Sequence, residues 1–262
     1  MLSLEERGAR AASVDDIQAL AGASRVFARK LAHDLTRKGW LQRVRRGLYL
    51  VNPGRHGPEA IPDRDPFRLG AHLVRPYFFG YATAAELLGL LPQAGTTYYV
   101  VTPARTSAAP PGPSRFRFVR CSPRRFFGIE TLRRREELLH VSDRERTVLD
   151  LLDRPEYSGG LPGAVQALGS AKPRLDWIRL SRYMARMGNR SLGLRLGYLL
   201  EAVRPDVAVP RAWARAHLPR RSDPYVPLGT PREFGRRGPR DARWHVVRNV
   251  PERYLFGEVG VR

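Results

Sequence analysis

The 262 residues include a single cysteine, Cys121, and only three lysines, at 30, 38 and 172. One thiol cannot form an intramolecular disulfide, and a cysteine-based metal cluster would need ligands that the chain lacks. A metal-dependent nuclease centre of the restriction-enzyme kind asks for converging carboxylates and a lysine, so the shortage of lysine counts against that chemistry. No Walker loop occurs, and no Gly-x-Gly-x-x-Gly follows a strand-like run. No apolar run approaches the length of a membrane span. The first ten residues carry Glu5 and Glu6 instead of the apolar stretch of a signal peptide, so a cytoplasmic protein with no membrane partner is expected.

What is abundant is positive charge. Lys and Arg number 46 against 25 Asp and Glu, a formal charge of +21 carried almost wholly by arginine. Such a chain seeks polyanions, nucleic acid first among them. The excess is uneven: residues 1–55 hold 11 basic and 5 acidic residues, 56–169 hold 15 and 12, and 170–262 hold 20 and 8. Hydrophobic residues make up 42%, enough for a packed core. The length favours two domains over one.

The N-terminal segment has a recognisable order. Ser13, with Asp16 three residues on, caps a short helix whose Val14, Ile17, Leu20 and Ala21 share a face, and Gly22 ends it. Ser24 caps a second helix over about 25–38, with Phe27, Leu31 and Leu35 predicted on its buried side and Ala28 and Ala32 beside them. Gly39 is the expected stop. Leu41 to Val44 and Leu48 to Val51 then flank Arg45-Arg46-Gly47, the pattern of a hairpin. Helix, short turn, basic helix and an arginine-tipped hairpin in this order predict a winged helix-turn-helix for double-stranded DNA. The candidate contacts are Arg25, Arg29, Lys30 and His33 toward base edges, and Arg37, Arg43, Arg45 and Arg46 toward phosphates.

Asn52 to Pro66, with Pro53, Pro58, Pro62, Pro66, Gly54 and Gly57, reads as a linker. The expected architecture is α+β: a winged-helix head over 1–55 and a larger mixed α/β domain over 66–262. In the latter, helices are expected over 67–75, from a capping box at Thr83-Ala84-Ala85-Glu86, from a second at Ser142-Asp143-Arg144-Glu145, and over 175–187 and 192–203. Strands are expected at 97–101 and 116–120, on either side of a loop over 103–114, with a short apolar run at 138–141. Extended segments are expected at 207–213, 225–228 and 243–247.

Four segments together carry a family resemblance: Arg46-Gly47-Leu48-Tyr49, Tyr81 to Leu87, Ser142-Asp143-Arg144-Glu145-Arg146-Thr147-Val148-Leu149-Asp150, and Arg195-Leu196-Gly197-Tyr198-Leu199-Leu200-Glu201. In their order and spacing the chain resembles the AbiEi antitoxins of type IV toxin-antitoxin systems. The resemblance implies a transcriptional autorepressor that binds its own promoter and counteracts a nucleotidyltransferase-type toxin.

Candidate catalytic groups are few. Cys121 and His140 are far apart in sequence, and Cys121 is expected to be a packing residue at a strand end. Asp143, Glu145, Asp150 and Asp153 are the densest acidic group; at helical spacing the first two suit a helix N-terminus, and the others can pair with Arg146 and Arg154. A non-enzyme without cofactor or metal is the expectation. The alternatives are a nuclease or nucleotide-processing enzyme carried to DNA by the same head, a stand-alone regulator, and a binder of structured RNA.

Overall fold

The computed structural model describes residues 4, 9–52, 65–92, 95–106, 115–135 and 137–257; most of the linker, 53–64, and much of the 103–114 loop lie outside them. Strand β1 (Ala11–Ser13) leads directly into helix α1 (Val14–Ala21). The capping box at this junction is reciprocal: the Asp16 N–H donates to Ser13 Oγ at 3.1 Å and the Ser13 N–H to Asp16 Oδ2 at 2.7 Å. Gly22, with φ +59°, closes α1 in the left-handed region. Ser24 accepts the Phe27 N–H at 3.3 Å and opens α2 (Arg25–Arg37). Strands β2 (Leu41–Arg45) and β3 (Leu48–Val51) form the wing hairpin, and β1, absent from the sequence reading, completes a sheet of order β1-β3-β2.

Alternation along these strands divides the wing sheet between two cores. Ala12, Tyr49 and Val51 face α1 and α2, joining Val14, Ile17, Ala28 and Ala32. Ala11, Val44, Leu48 and Leu50 face the other way, onto Leu69 and Leu73 beyond the linker and onto Phe116 and Phe118. The sheet is therefore covered on both sides: Val44 and Leu50 are wholly buried. One expectation for α2 fails here. Phe27, expected on the buried side, stands 51% exposed, whereas Leu31 and Leu35 pack half-buried against the head core as expected and Ala28 and Ala32 are the fully buried pair. Alanines let the helix approach closely, and the larger side chains flank the contact instead of centring it.

Beyond the linker, α3 (Pro66–Ala71) leads to a five-stranded mixed sheet of order β6-β5-β4-β8-β7. Its strands are β4 (Phe78–Phe79), β5 (Thr97–Thr102), β6 (Arg115–Arg120), β7 (Ile129–Arg134) and β8 (Glu137–Ser142). Phe79, Val100, Leu139 and Val141 face α3, while Phe78, Tyr99, Val101 and Val119 face the main core. That core is closed by α4 (Tyr81–Leu87), α5 (Arg144–Asp153), α6 (Leu161–Ala171), α7 (Trp177–Met187), α8 (Arg190–Ala202) and α9 (Arg211–His217). A small sheet of β9 (Val226–Pro227), β10 (Arg240–Asp241) and β11 (Val246–Val247), with α10 (Pro231–Phe234) and α11 (Glu252–Phe256), covers the end of the chain.

Local readings fail at the helix starts. Thr83 is not a cap: α4 begins at Tyr81, and the buried Thr83 hydroxyl accepts the Tyr99 N–H at 2.8 Å, tying helix to strand. Asp143, one residue after Ser142, caps α5 by accepting the Arg146 N–H at 2.9 Å. The segment expected to be extended at 207–213 instead contributes the start of α9, and α6 and β7 were not foreseen.

Candidate nucleic-acid interface

At 100° per residue, Val26, Lys30, His33 and Arg37 lie on the stripe of α2 opposite Ala28 and Ala32, Arg29 lies on the flank beside it, and all five are exposed. The wing sheet and the body lie behind α2, so this stripe points away from the rest of the molecule. Arg29 and Lys30 are within ion-pairing distance of no carboxylate among the described residues. Arg25 meets Asp15 of α1 at 3.0 Å and Arg37 meets Asp34 at 3.6 Å, so these two are positioned by neighbours before any anion arrives. His33 is 3.8 Å from Asp34.

In the wing, Gly47 has φ +76° and Arg46 sits exposed at the turn. The Gly47 carbonyl accepts the Val14 N–H at 3.1 Å, which holds the hairpin tip against the start of α1. Arg43 is exposed, and Arg45 ends β2 opposite Leu48 after a register shift at Val44. The structure thus brings Arg25, Arg29, Lys30, His33 and Arg37 onto one helix and places Arg43, Arg45 and Arg46 along one strand and its turn. Sequence reasoning missed Val26, which is 76% exposed in the first turn of α2 among cations. Its signal was available: Val26 lies on the same helical stripe as Lys30, His33 and Arg37.

The acidic group around 143–153 has other partners. Asp143 caps α5 and accepts the Tyr183 hydroxyl at 2.7 Å; burial, followed by that bond, pushes the phenol up to about 12. Glu145, almost fully buried, accepts the Asp176 N–H at 2.8 Å and meets Arg179 at 3.4 Å. Asp150 pairs with Arg146 at 2.8 Å, as expected, with both side chains buried. The Arg146 guanidinium also donates to the carbonyls of Arg125 and Phe127 and lies over the Phe127 ring. Asp153 pairs with Arg125 at 3.1 Å and accepts from Asn189, while Arg154 turns to Tyr157. These carboxylates are already neutralised or hydrogen-bonded by protein groups. Among the described residues no group of three His, Cys, Asp or Glu is placed to hold a metal ion. Cys121 is half-buried, and burial pushes its thiol up, away from the thiolate a nucleophile requires.

The Arg195-to-Glu201 segment is also structural. Gly197 gives room for Trp244, whose ring a Cβ at this position would strike, and Trp244 Nε1 donates to Glu201 Oε2 at 2.8 Å.

The geometry of residues 9–52 is that of a winged helix-turn-helix on a mixed α+β body. Residues 1–52 match the family model described as transcriptional regulator, AbiEi antitoxin, so the head is of the DNA-binding, transcription-regulating class. The whole fold is similar to the crystal structure of the RV2827C protein from Mycobacterium tuberculosis. That likeness has a TM-score of 0.64 at 20% identity and covers 94% of this chain and 88% of that one. No curated protein matches the sequence. Among the described residues no helix is long and apolar enough to cross a membrane.

Proposed function

We propose that the chain is a DNA-binding autorepressor and the antitoxin of a type IV toxin-antitoxin system, with a winged-helix head over 1–55 and an antitoxin-type body over 66–262. The observation that carries it is the exposed stripe of α2 in a head of the AbiEi regulator type. In this reading α2 enters the major groove with its N-terminal end toward base edges. Arg25, Arg29, Lys30 and His33 face those edges, and Val26 contributes an apolar contact of the kind that reads a thymine methyl. Asp15 orients Arg25 at that end, and Arg37, oriented by Asp34, neutralises phosphates together with Arg43, Arg45 and Arg46 of the wing.

The body acts without catalysing a reaction, since its densest carboxylates are occupied in holding α5, α7 and the turn at Arg125 together. Its partner is a nucleotidyltransferase-type toxin encoded beside it, and the protein works in the cytoplasm. Fluorescence anisotropy with the duplex upstream of the gene, against a scrambled duplex at matched salt, tests the DNA half. Equal affinity for the two duplexes contradicts it. Co-expression with the neighbouring reading frame tests the antitoxin half, which requires growth arrest that this chain relieves.

A further inference from the structure

The wing sheet and the body do not meet flush along their whole boundary. On the body-facing side of the sheet, away from α2, they enclose an open cleft of about 940 Å³. Arg10, Ala11 and Leu48 line it from the head, and Arg75, Arg133 and Tyr77 line it from the body. Arg75 and Arg133 are exposed, and neither lies within ion-pairing distance of a carboxylate among the described residues. Among the described residues one carboxylate lines the wall, Glu137, and it is already engaged by Arg68 at 3.2 Å, His72 at 3.5 Å and Arg10 at 3.7 Å. Among the described residues an anion entering here meets Arg75 and Arg133 from the body, Arg10 beside Glu137 from the head, and no carboxylate that lacks a cationic partner.

Beside the cleft lies an apolar recess of about 370 Å³ that shares Arg75, Tyr77 and His140 with it. Phe126, Ile129 and Pro76 form the rest of this recess. Half-buried Phe126 and His140 supply ring surfaces there, and His140 lies 5.5 Å from the Tyr77 ring. A cationic half joined to an aromatic half matches a ligand with a phosphate at one end and a flat ring at the other.

We propose that this cleft binds a nucleoside phosphate and so braces the junction of head and body. The phosphate lies between Arg75, Arg133 and Arg10, and the base lies in the recess against Phe126 and His140. Arg10 precedes β1 and belongs to the head, whereas Arg75 and Arg133 belong to the body, so one ligand contacts both parts. A ligand held by both parts stabilises the joint they share, and a difference in its affinity for the DNA-bound and free forms couples the two sites. The site stands independently of the DNA-binding reading; its regulatory half rests on that reading.

Isothermal titration of the full chain with AMP, inorganic phosphate and adenosine tests the site. Saturable binding of AMP is expected, with each half-ligand weaker by about tenfold or more. Arg75→Ala with Arg133→Ala lowers AMP affinity by about tenfold or more, while Arg29→Glu on the far side leaves it unchanged. Both arginines are exposed, and circular dichroism confirms that the variants fold. No saturable binding at millimolar AMP, or undiminished binding in the double variant, overturns the proposal. The regulatory half requires saturating AMP to change duplex affinity by about threefold or more. An unchanged duplex affinity overturns that half, whereas a chain that binds AMP and no DNA refutes the DNA-binding reading and leaves the site standing.

Discussion

Arg68 of α3 donates through Nη2 to the carbonyl of Val51, the last residue of the wing sheet, at 2.7 Å. The same guanidinium reaches Glu137 through Nε at 3.2 Å. One body side chain thus satisfies the end of a head strand and a buried carboxylate, beside the apolar contact of Leu50 with Leu69 and Leu73. Head and body share a core, and this joint behaviour underlies the first expectation.

Leu50→Ala removes a fully buried side chain from that core and should destabilise the chain by about 2–5 kcal/mol. Urea unfolding followed by tryptophan fluorescence, which sees Trp40 in the head and Trp177, Trp213 and Trp244 in the body, should show one transition that moves to lower urea. Two separate transitions in the unaltered chain would contradict a shared core.

Acid should weaken the same joint. Burial by itself would raise Glu137, but His72, Arg68 and Arg10 outweigh it and hold the carboxyl below its ordinary value. A depressed acid contributes stability that is full above its unfolded pKa of about 4.3 and is lost as pH falls through the lower folded value. His217, lowered by burial and bonded to Ser181 Oγ at 2.8 Å, adds a second loss that begins below about 6.5. Thermal unfolding from pH 7 downward should therefore show a decline that His217→Asn reduces between pH 6.5 and 5 and Glu137→Gln reduces below pH 4.5. Unaltered slopes in both variants would contradict these assignments.

Gly197→Ala should cost about 1–3 kcal/mol or more, because its methyl meets the buried Trp244 ring and not solvent. Differential scanning calorimetry reads this directly. A melting temperature equal to the parent's would mean that α8 and the terminal sheet are not packed as described.

Val26→Ser should leave non-specific duplex binding intact and weaken binding to a selected site by about 1 kcal/mol or more. Replacing thymine by deoxyuridine throughout that site should cost the parent more than the variant. Equal losses would remove Val26 from the readout.

The sequence made the head legible because its signals are local: Ser13 with Asp16, Ser24, Gly22 and Gly47 each determine one cap or turn that the structure reproduces. Side-chain volume hid the true centre of α2, since alanine is a weak apolar signal and Phe27 a strong one. What remained hidden depends on partners distant in sequence. The Thr83 hydroxyl resembles a cap until Tyr99 supplies its donor, and β1 has only three residues to declare itself. Helix α6 begins with Leu161-Pro162-Gly163; proline suits a first turn, but its apolar content carries little helical periodicity. The body-facing side of the wing could not be read because its partners, Leu69 and Leu73, lie across the linker.

Arg29 stands exposed on α2, beside the Lys30 and His33 stripe, with no neighbouring carboxylate among the described residues, so reversing its charge tests the central claim with little risk to the fold. The measurement is the affinity of Arg29→Glu for the duplex upstream of the gene, at matched salt and with circular dichroism unchanged. A loss of at least about tenfold, with a shallower salt dependence, is the predicted result. Parental affinity with an undiminished salt slope would contradict the assignment of α2 to the groove.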